Sequence, residues 1–175
     1  MYSYITSISP YKHLKGNKRQ GKTPLHYAAR YGRLEMCEFL KEQFGKVKSN
    51  DGTTAVMMAC FGGSVECAEC LWYDGCLDET NDYGCSLLHF AGLSKDVSIV
   101  RWLDSRPNVD WCKRQKGGHS SIDKAAIQGW REGIEVMWKG EEIDLTKTWK
   151  GGEEGRKWLV EKGLIVDDKD KDDKR

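Results

Sequence analysis

The chain repeats itself, and a repeat restricts the possible folds more than any other feature of its 175 residues. Residues 21–40, GKTPLHYAARYGRLEMCEFL, overlay residues 52–71, GTTAVMMACFGGSVECAECL, at an offset of 31. Thr23 falls on Thr54, Ala28 on Ala59, Gly32 on Gly63, Glu35 on Glu66 and Leu40 on Leu71. A further 32 residues reach 84–103, where Ser86 stands in the place of the Thr and His89 and Ala91 match His26 and Ala28. A further 34 reach 118–137, with Ser120, Ile122, Ala125, Ala126 and Gly129 in register. A unit of this size cannot bury its apolar face alone. Such units stack and share one continuous core.

Each unit reads as two short helices. Thr23 and its equivalents suit a helix N-cap through the hydroxyl, and Pro24 suits the first helical turn, where an N–H has no partner anyway. Ala28 and Ala29 are small enough to let neighbouring helices approach. Gly32 and Gly63 stand where the first helix stops and the backbone turns left-handed. In the third unit Lys95 replaces that glycine, which predicts an irregular loop over 92–96. The second helix carries Met36, Cys37, Phe39 and Leu40, a spacing that predicts a face packed on both sides. Turn signals at 50–52, 81–84 and 116–118 separate the units.

GKTPLHYAARYG resembles the signature of the ankyrin repeat family, with TAVM, SLLH and SSID at the matching places of the later copies. The resemblance covers roughly residues 18–166. It implies an all-α fold, an ankyrin-repeat solenoid of stacked helix-turn-helix units with projecting hairpin loops. Four repeats are expected at about 18–48, 49–80, 81–114 and 115–143. A truncated C-terminal capping repeat follows at 144–166, carrying Trp158, Leu159 and Val160. Residues 1–17 form an N-terminal arm or cap in this reading. Ile5, Ile8, Tyr11 and Leu14 recur there every third residue, although Pro10 argues against one unbroken helix. The tail at 167–175 is charged throughout and is expected to be disordered.

Composition narrows the function. The formal net charge is +1, which gives no global pull towards nucleic acid or membrane. The charge is nevertheless polarised: Lys12, Lys15, Lys18, Arg19, Lys22, Arg30 and Arg33 precede the first acid, Glu35. No apolar run is long enough for a membrane span, and the first residues lack the apolar core of a secretory signal. The seven cysteines then read as free thiols of the cytoplasm or nucleus. Cys67 and Cys70 form a CxxC near Cys60 and Cys76, the pattern of a redox pair or metal site. The register argues for core instead, because Cys60 falls on Ala29, Cys37 on Ala68, Cys70 on Phe39, and Cys67 on Met36 and Ile99. No nucleophile triad, phosphate loop or HExxH motif is present, so no enzymatic activity, cofactor or metal is expected. Trp72, Trp102, Trp138 and Trp158 read as packing residues, and Trp130, in a turn, as partly exposed.

What the resemblance implies is a protein-interaction module. Its contact surface is the concave face made by hairpin tips and the open sides of the first helices. Carried over copy by copy, the first unit offers Arg19, Gln20, Lys22, Arg30 and Tyr31. The second offers Asp51, Thr53 and Phe61, and the third Tyr83, Cys85 and Leu93. The fourth offers Lys116, His119, Ile127 and Gln128. Tyr31, Phe61, Leu93 and Ile127 stand just before the first helix of each unit ends and form an apolar series, a composition typical of binding hot spots. Cys85 follows a hairpin glycine and is expected to be an exposed thiol. His26 and His89 are expected to bond backbone between neighbouring loops, as the family's histidine does. The expected partner is a protein or peptide, with an acidic stretch facing the basic N-terminal end. The chain alone is expected to be monomeric. Nucleic-acid binding through that basic end is the alternative reading, disfavoured because no base-reading motif accompanies it.

Overall fold

The computed structural model describes residues 20–138 and 152–163. The expectations for the arm at 1–17, for Arg19, for most of the fifth hairpin and for the tail at 167–175 lie outside the described residues. Among the described residues the chain is helical, with a single isolated antiparallel bridge between Lys48 and Thr54.

Four helix pairs follow one another. The inner helices are α1 (Pro24–Arg30), α3 (Ala55–Gly62), α5 (Leu87–Ala91) and α7 (Ser121–Ile127). The outer helices are α2 (Leu34–Phe44), α4 (Val65–Cys70), α6 (Val97–Asp104) and α8 (Arg131–Met137). Inner helices pack on inner and outer on outer, so the stack has two layers. A ninth helix, α9 (Gly152–Glu161), stands where the truncated fifth repeat was expected. Its Leu159 is fully buried. Arg131 of α8 covers the Trp158 ring at 5.7 Å, and Lys162 pairs with Glu135 at 3.8 Å.

Why these helices form is visible at their ends. Thr54 and Ser120 accept the N–H groups of Met57 and Asp123 at 3.3 and 3.1 Å. Ser64 and Asp96 cap the outer helices α4 and α6 in the same way. In units 1 and 3 the expected cap hydroxyl is used differently. Thr23 and Ser86 turn towards the Nδ1 atoms of His26 and His89, at 3.0 and 3.1 Å.

A left-handed residue follows the inner helix in all four units: Gly32, Gly63, Lys95 and Gly129, with φ of 64°, 75°, 59° and 66°. Lys95 keeps that conformation, but α5 stops early, at Ala91, with a right-handed Gly92 as its cap (φ −60°), so the loop over 92–96 departs from its counterparts as its sequence suggests. Ser94 holds it, donating from Oγ to the Ala91 carbonyl at 2.7 Å and accepting the Asp96 N–H at 3.1 Å. The side-chain-free Gly62 and Gly92 let the inner helices touch, because a Cβ at either would run into the backbone carbonyl of Arg30 or Ser121.

The core runs through every unit, from Leu25 and Cys37 to Ile134 and Met137. Two expectations fail at its edges. Trp130 is buried rather than part-exposed, because its ring lies over the bare backbone of Gly133, where a Cβ would strike it. Met36 and Phe39 are 49% and 55% exposed, because no described unit precedes α2 to pack against them.

Candidate functional site

The hairpins between units are built alike. Each has a glycine at its tip, Gly52, Gly84 and Gly118, with φ of 77°, 75° and 81°. In each, one main-chain N–H crosses the loop: Ser49 to Thr53 O, Asn81 to Cys85 O and Gln115 to His119 O, at 2.9, 3.0 and 3.0 Å. The hairpins also join one another. Asn50 N–H donates to Gln20 O at 3.0 Å, Asp82 N–H to Asp51 O at 2.8 Å, and Lys116 N–H to Tyr83 O at 3.1 Å. This backbone ladder sets Gln20, Asp51, Tyr83 and Lys116 in one row.

Tyr83 is 63% exposed on that row, and Gln20 and Lys116 are exposed beside it. Lys22 is half-buried and donates from Nζ to Gln20 Oε1 at 3.1 Å. Asp51 is half-buried. Burial pushes its pKa up, but the Ser49 hydroxyl and the Thr53 N–H bonded to its carboxylate outweigh that, and the pKa is lowered. Its charge is thus fixed on the tip.

Two residues of the expected surface are more covered than expected. Thr53 is buried, with its carbonyl accepting from His26 Nε2 at 3.0 Å and its Oγ1 accepting from Asn81 Nδ2 at 3.2 Å. It joins hairpins, and its side chain is turned away from solvent. Cys85 is half-buried rather than exposed, and burial raises its thiol pKa. His119 is half-buried in the matching place of unit 4, and its carbonyl takes the Nε2 proton of His89 at 3.2 Å.

The series at the ends of the inner helices also differs from the expected bare stripe. Tyr31 is 64% exposed, but Phe61, Leu93 and Ile127 are half-buried, as are Arg30 and Gln128. By register Phe61 corresponds to Arg30, and Tyr31 to Gly62. The structure uses that pairing. The Arg30 guanidinium lies 4.9 Å from the Phe61 ring centre and 5.8 Å from that of Tyr31. Phe61 meets Phe90 edge-on at 6.4 Å. Phe90, which the sequence reading passed over, supports this cluster from the position matching Tyr27 and Met58.

The residue three places after each helix cap forms a second ladder. His26 Nδ1, Met57 Sδ, His89 Nδ1 and Asp123 Oδ2 accept the cap residue's N–H, at 3.1, 3.5, 3.1 and 2.7 Å. Since Nδ1 accepts, the proton of each histidine is on Nε2, where it reaches the next hairpin. Burial lowers the pKa of His26, and lowers that of His89 to about 4. Both rings are neutral at pH 7 and tie loops together. The bonding expected of them is what the structure shows.

Four of the seven cysteines are core, and Cys70, expected there too, is half-buried against it. Cys37, Cys60, Cys67 and Cys76 are fully buried. The Cys37 thiol, 3.7 Å from that of Cys67, is pushed up to about 12, first by burial and then by Cys67. Among the described residues no group of three or more His, Cys, Asp or Glu side chains could hold a metal ion, and no helix is long and apolar enough to cross a membrane.

A family model described as "Ankyrin repeats (3 copies)" matches residues 43–115, and one described as "Ankyrin repeat" matches residues 20–48. The chain belongs to the ankyrin repeat family. Ankyrin repeats are generally protein–protein interaction modules. Among solved structures the chain is similar to the "human ASB11 ankyrin repeat domain", at 27% identity and a TM-score of 0.54, over 66% of this chain and 53% of that one. The match thus spans about half of that domain's length. No curated protein matches the sequence.

Proposed function

We propose that the chain is an ankyrin adaptor that docks a protein or peptide on its concave face, through Arg30, Tyr31 and Phe61 at the inner-helix ends and Lys22, Tyr83 and Lys116 on the hairpin row. The observation that carries this reading is the Arg30 cluster. Its guanidinium lies against two aromatic rings, and among the described residues it has no carboxylate partner. A cation over aromatic rings still has N–H groups to offer an incoming carboxylate, and Arg, Tyr and Trp anchors dominate binding energies. The reading favours a partner segment that places an acidic residue beside an aromatic one.

Selection of random peptides on the chain tests it. Enriched peptides carry Asp or Glu next to an aromatic residue, and Arg30→Ala and Tyr31→Ala each weaken them by about 1–3 kcal/mol. Unchanged affinity in both variants, with native circular dichroism, moves the site elsewhere.

A further inference from the structure

The outer layer of the stack carries an aromatic corner that has no part in the concave face. Trp72, two residues beyond α4, and Trp102 of α6 meet edge-on, with ring centres 5.2 Å apart and ring planes at 90°. Both indoles are half-buried. Glu69 of α4 is exposed and accepts the Trp102 Nε1–H at 2.7 Å. That bond fixes the ring and sets a carboxylate at its edge. Two indoles at right angles with a carboxylate beside them make a set that holds a cation. The chain's own cation is there: the Arg106 guanidinium lies 4.5 Å from the Trp102 ring centre and 5.2 Å from that of Trp72.

Arg106 fits this corner imperfectly. Its approach to Glu69 Oε1 is 3.9 Å, longer than a hydrogen bond. Its Nε–H is buried and has no acceptor among the described residues, and a buried donor left unpaired carries its full desolvation cost. An ammonium group whose hydrogens are replaced by methyls keeps the charge and has no donor to leave unpaired. Arg106 also lies beyond Ser105, the cap of α6, beside exposed Pro107 and Asn108, so its side chain can swing out without unwinding the helix.

We propose that Trp72, Trp102 and Glu69 form a second binding site, for a trimethyllysine side chain of a partner protein, which displaces Arg106. The surroundings select a basic protein segment over a choline lipid headgroup. Glu66 and Glu69 are exposed one turn apart on α4, and Glu35, Glu38 and Glu42 are exposed on the neighbouring α2. These carboxylates attract the lysines flanking a modified one and repel the phosphate of a phosphocholine.

Fluorescence anisotropy of a dye-labelled Gly/Ser/Lys peptide with one trimethyllysine, titrated with the full chain, tests this. Trimethylation tightens binding by about tenfold, and Arg106→Ala, which empties the corner, tightens it by about tenfold again. Glu69→Gln still accepts from Trp102 but loses its charge, and weakens the methylated peptide by about threefold. Trp102→Leu, with a native circular dichroism spectrum, removes the preference for the methylated peptide. Equal binding with and without the methyl groups, or an Arg106→Ala chain that binds no tighter than the parent, overturns the proposal. Binding to phosphatidylcholine vesicles in preference to the peptide also overturns it.

Discussion

Acid provides a direct probe of the histidine ladder. His89 is 2% exposed; Nδ1 accepts the Ser86 N–H and Nε2–H donates to the His119 carbonyl. A proton added at Nδ1 faces a donor instead of an acceptor and finds no water. Burial accordingly lowers the pKa from the ordinary 6.5 to about 4. In the unfolded chain the ring titrates near 6.5, so between 6.5 and 4 the unfolded state binds more protons. The stabilisation is therefore complete above pH 6.5 and is lost as the pH falls towards 4. The slope is at most about 1.4 kcal/mol per pH unit, and the whole effect is roughly 3 kcal/mol. His26, lowered for the same leading reason, adds in the same direction. His89→Gln keeps an acceptor and a donor but cannot titrate. Urea unfolding at pH 7.5, 6.0 and 4.5 should show the variant less stable by about 1–2 kcal/mol at pH 7.5. The gap should close or invert by pH 4.5. Titration of the carboxylates is common to both proteins and cancels in the difference. Parallel loss of stability in the two proteins would refute the linkage.

Other perturbations follow from backbone and packing. Lys95→Gly relieves a left-handed conformation that costs an ordinary residue about 1–2 kcal/mol, less the extra freedom glycine gains when unfolded. A net stabilisation of about 0.5–1 kcal/mol is expected, and a loss in denaturant midpoint contradicts it. Gly62→Ala drives a methyl group into the Arg30 carbonyl and should cost about 2–3 kcal/mol, measured by thermal unfolding. Leu25→Ala, at a fully buried site, should cost about 2–5 kcal/mol in the same assay, whereas Tyr83→Ala at an exposed tip should change it by less than about 0.5 kcal/mol.

The fold was legible because its demands on sequence are local. The glycines that turn left-handed, the small Ala28 and Ala29 and the TPLH segment each mark one step of a unit, and their recurrence set the register. Burial at the site was harder to read. Lys22, Thr53, Cys85 and His119 share one hairpin position, yet Thr53 is buried because Asn81 of the next hairpin reaches back to it, a contact between units that no single unit encodes. Cys85 is half-covered at the same position. The apolar character of Phe61 was visible, but its cover by Arg30 and Phe90 comes from two different units. Met36 and Phe39 carry the pattern of a packed face. Periodicity describes an interior unit and is blind to which unit comes first. Trp130 looked exposed because it sits in a turn, and Gly133, which makes room for it, reads equally well as a weak helix residue.

The row of hairpin tips has a consequence for how this surface can change over generations. Its rungs run from main chain to main chain, from Asn50 to Gln20, Asp82 to Asp51 and Lys116 to Tyr83. The side chains at 20, 51, 83 and 116 are not needed to make them. A lineage carrying this protein can therefore exchange the side chains at 20, 83 and 116 one at a time and try out new partners, while the stack that displays them is inherited intact; Asp51, whose carboxylate also bonds within its hairpin, is the less free of the four.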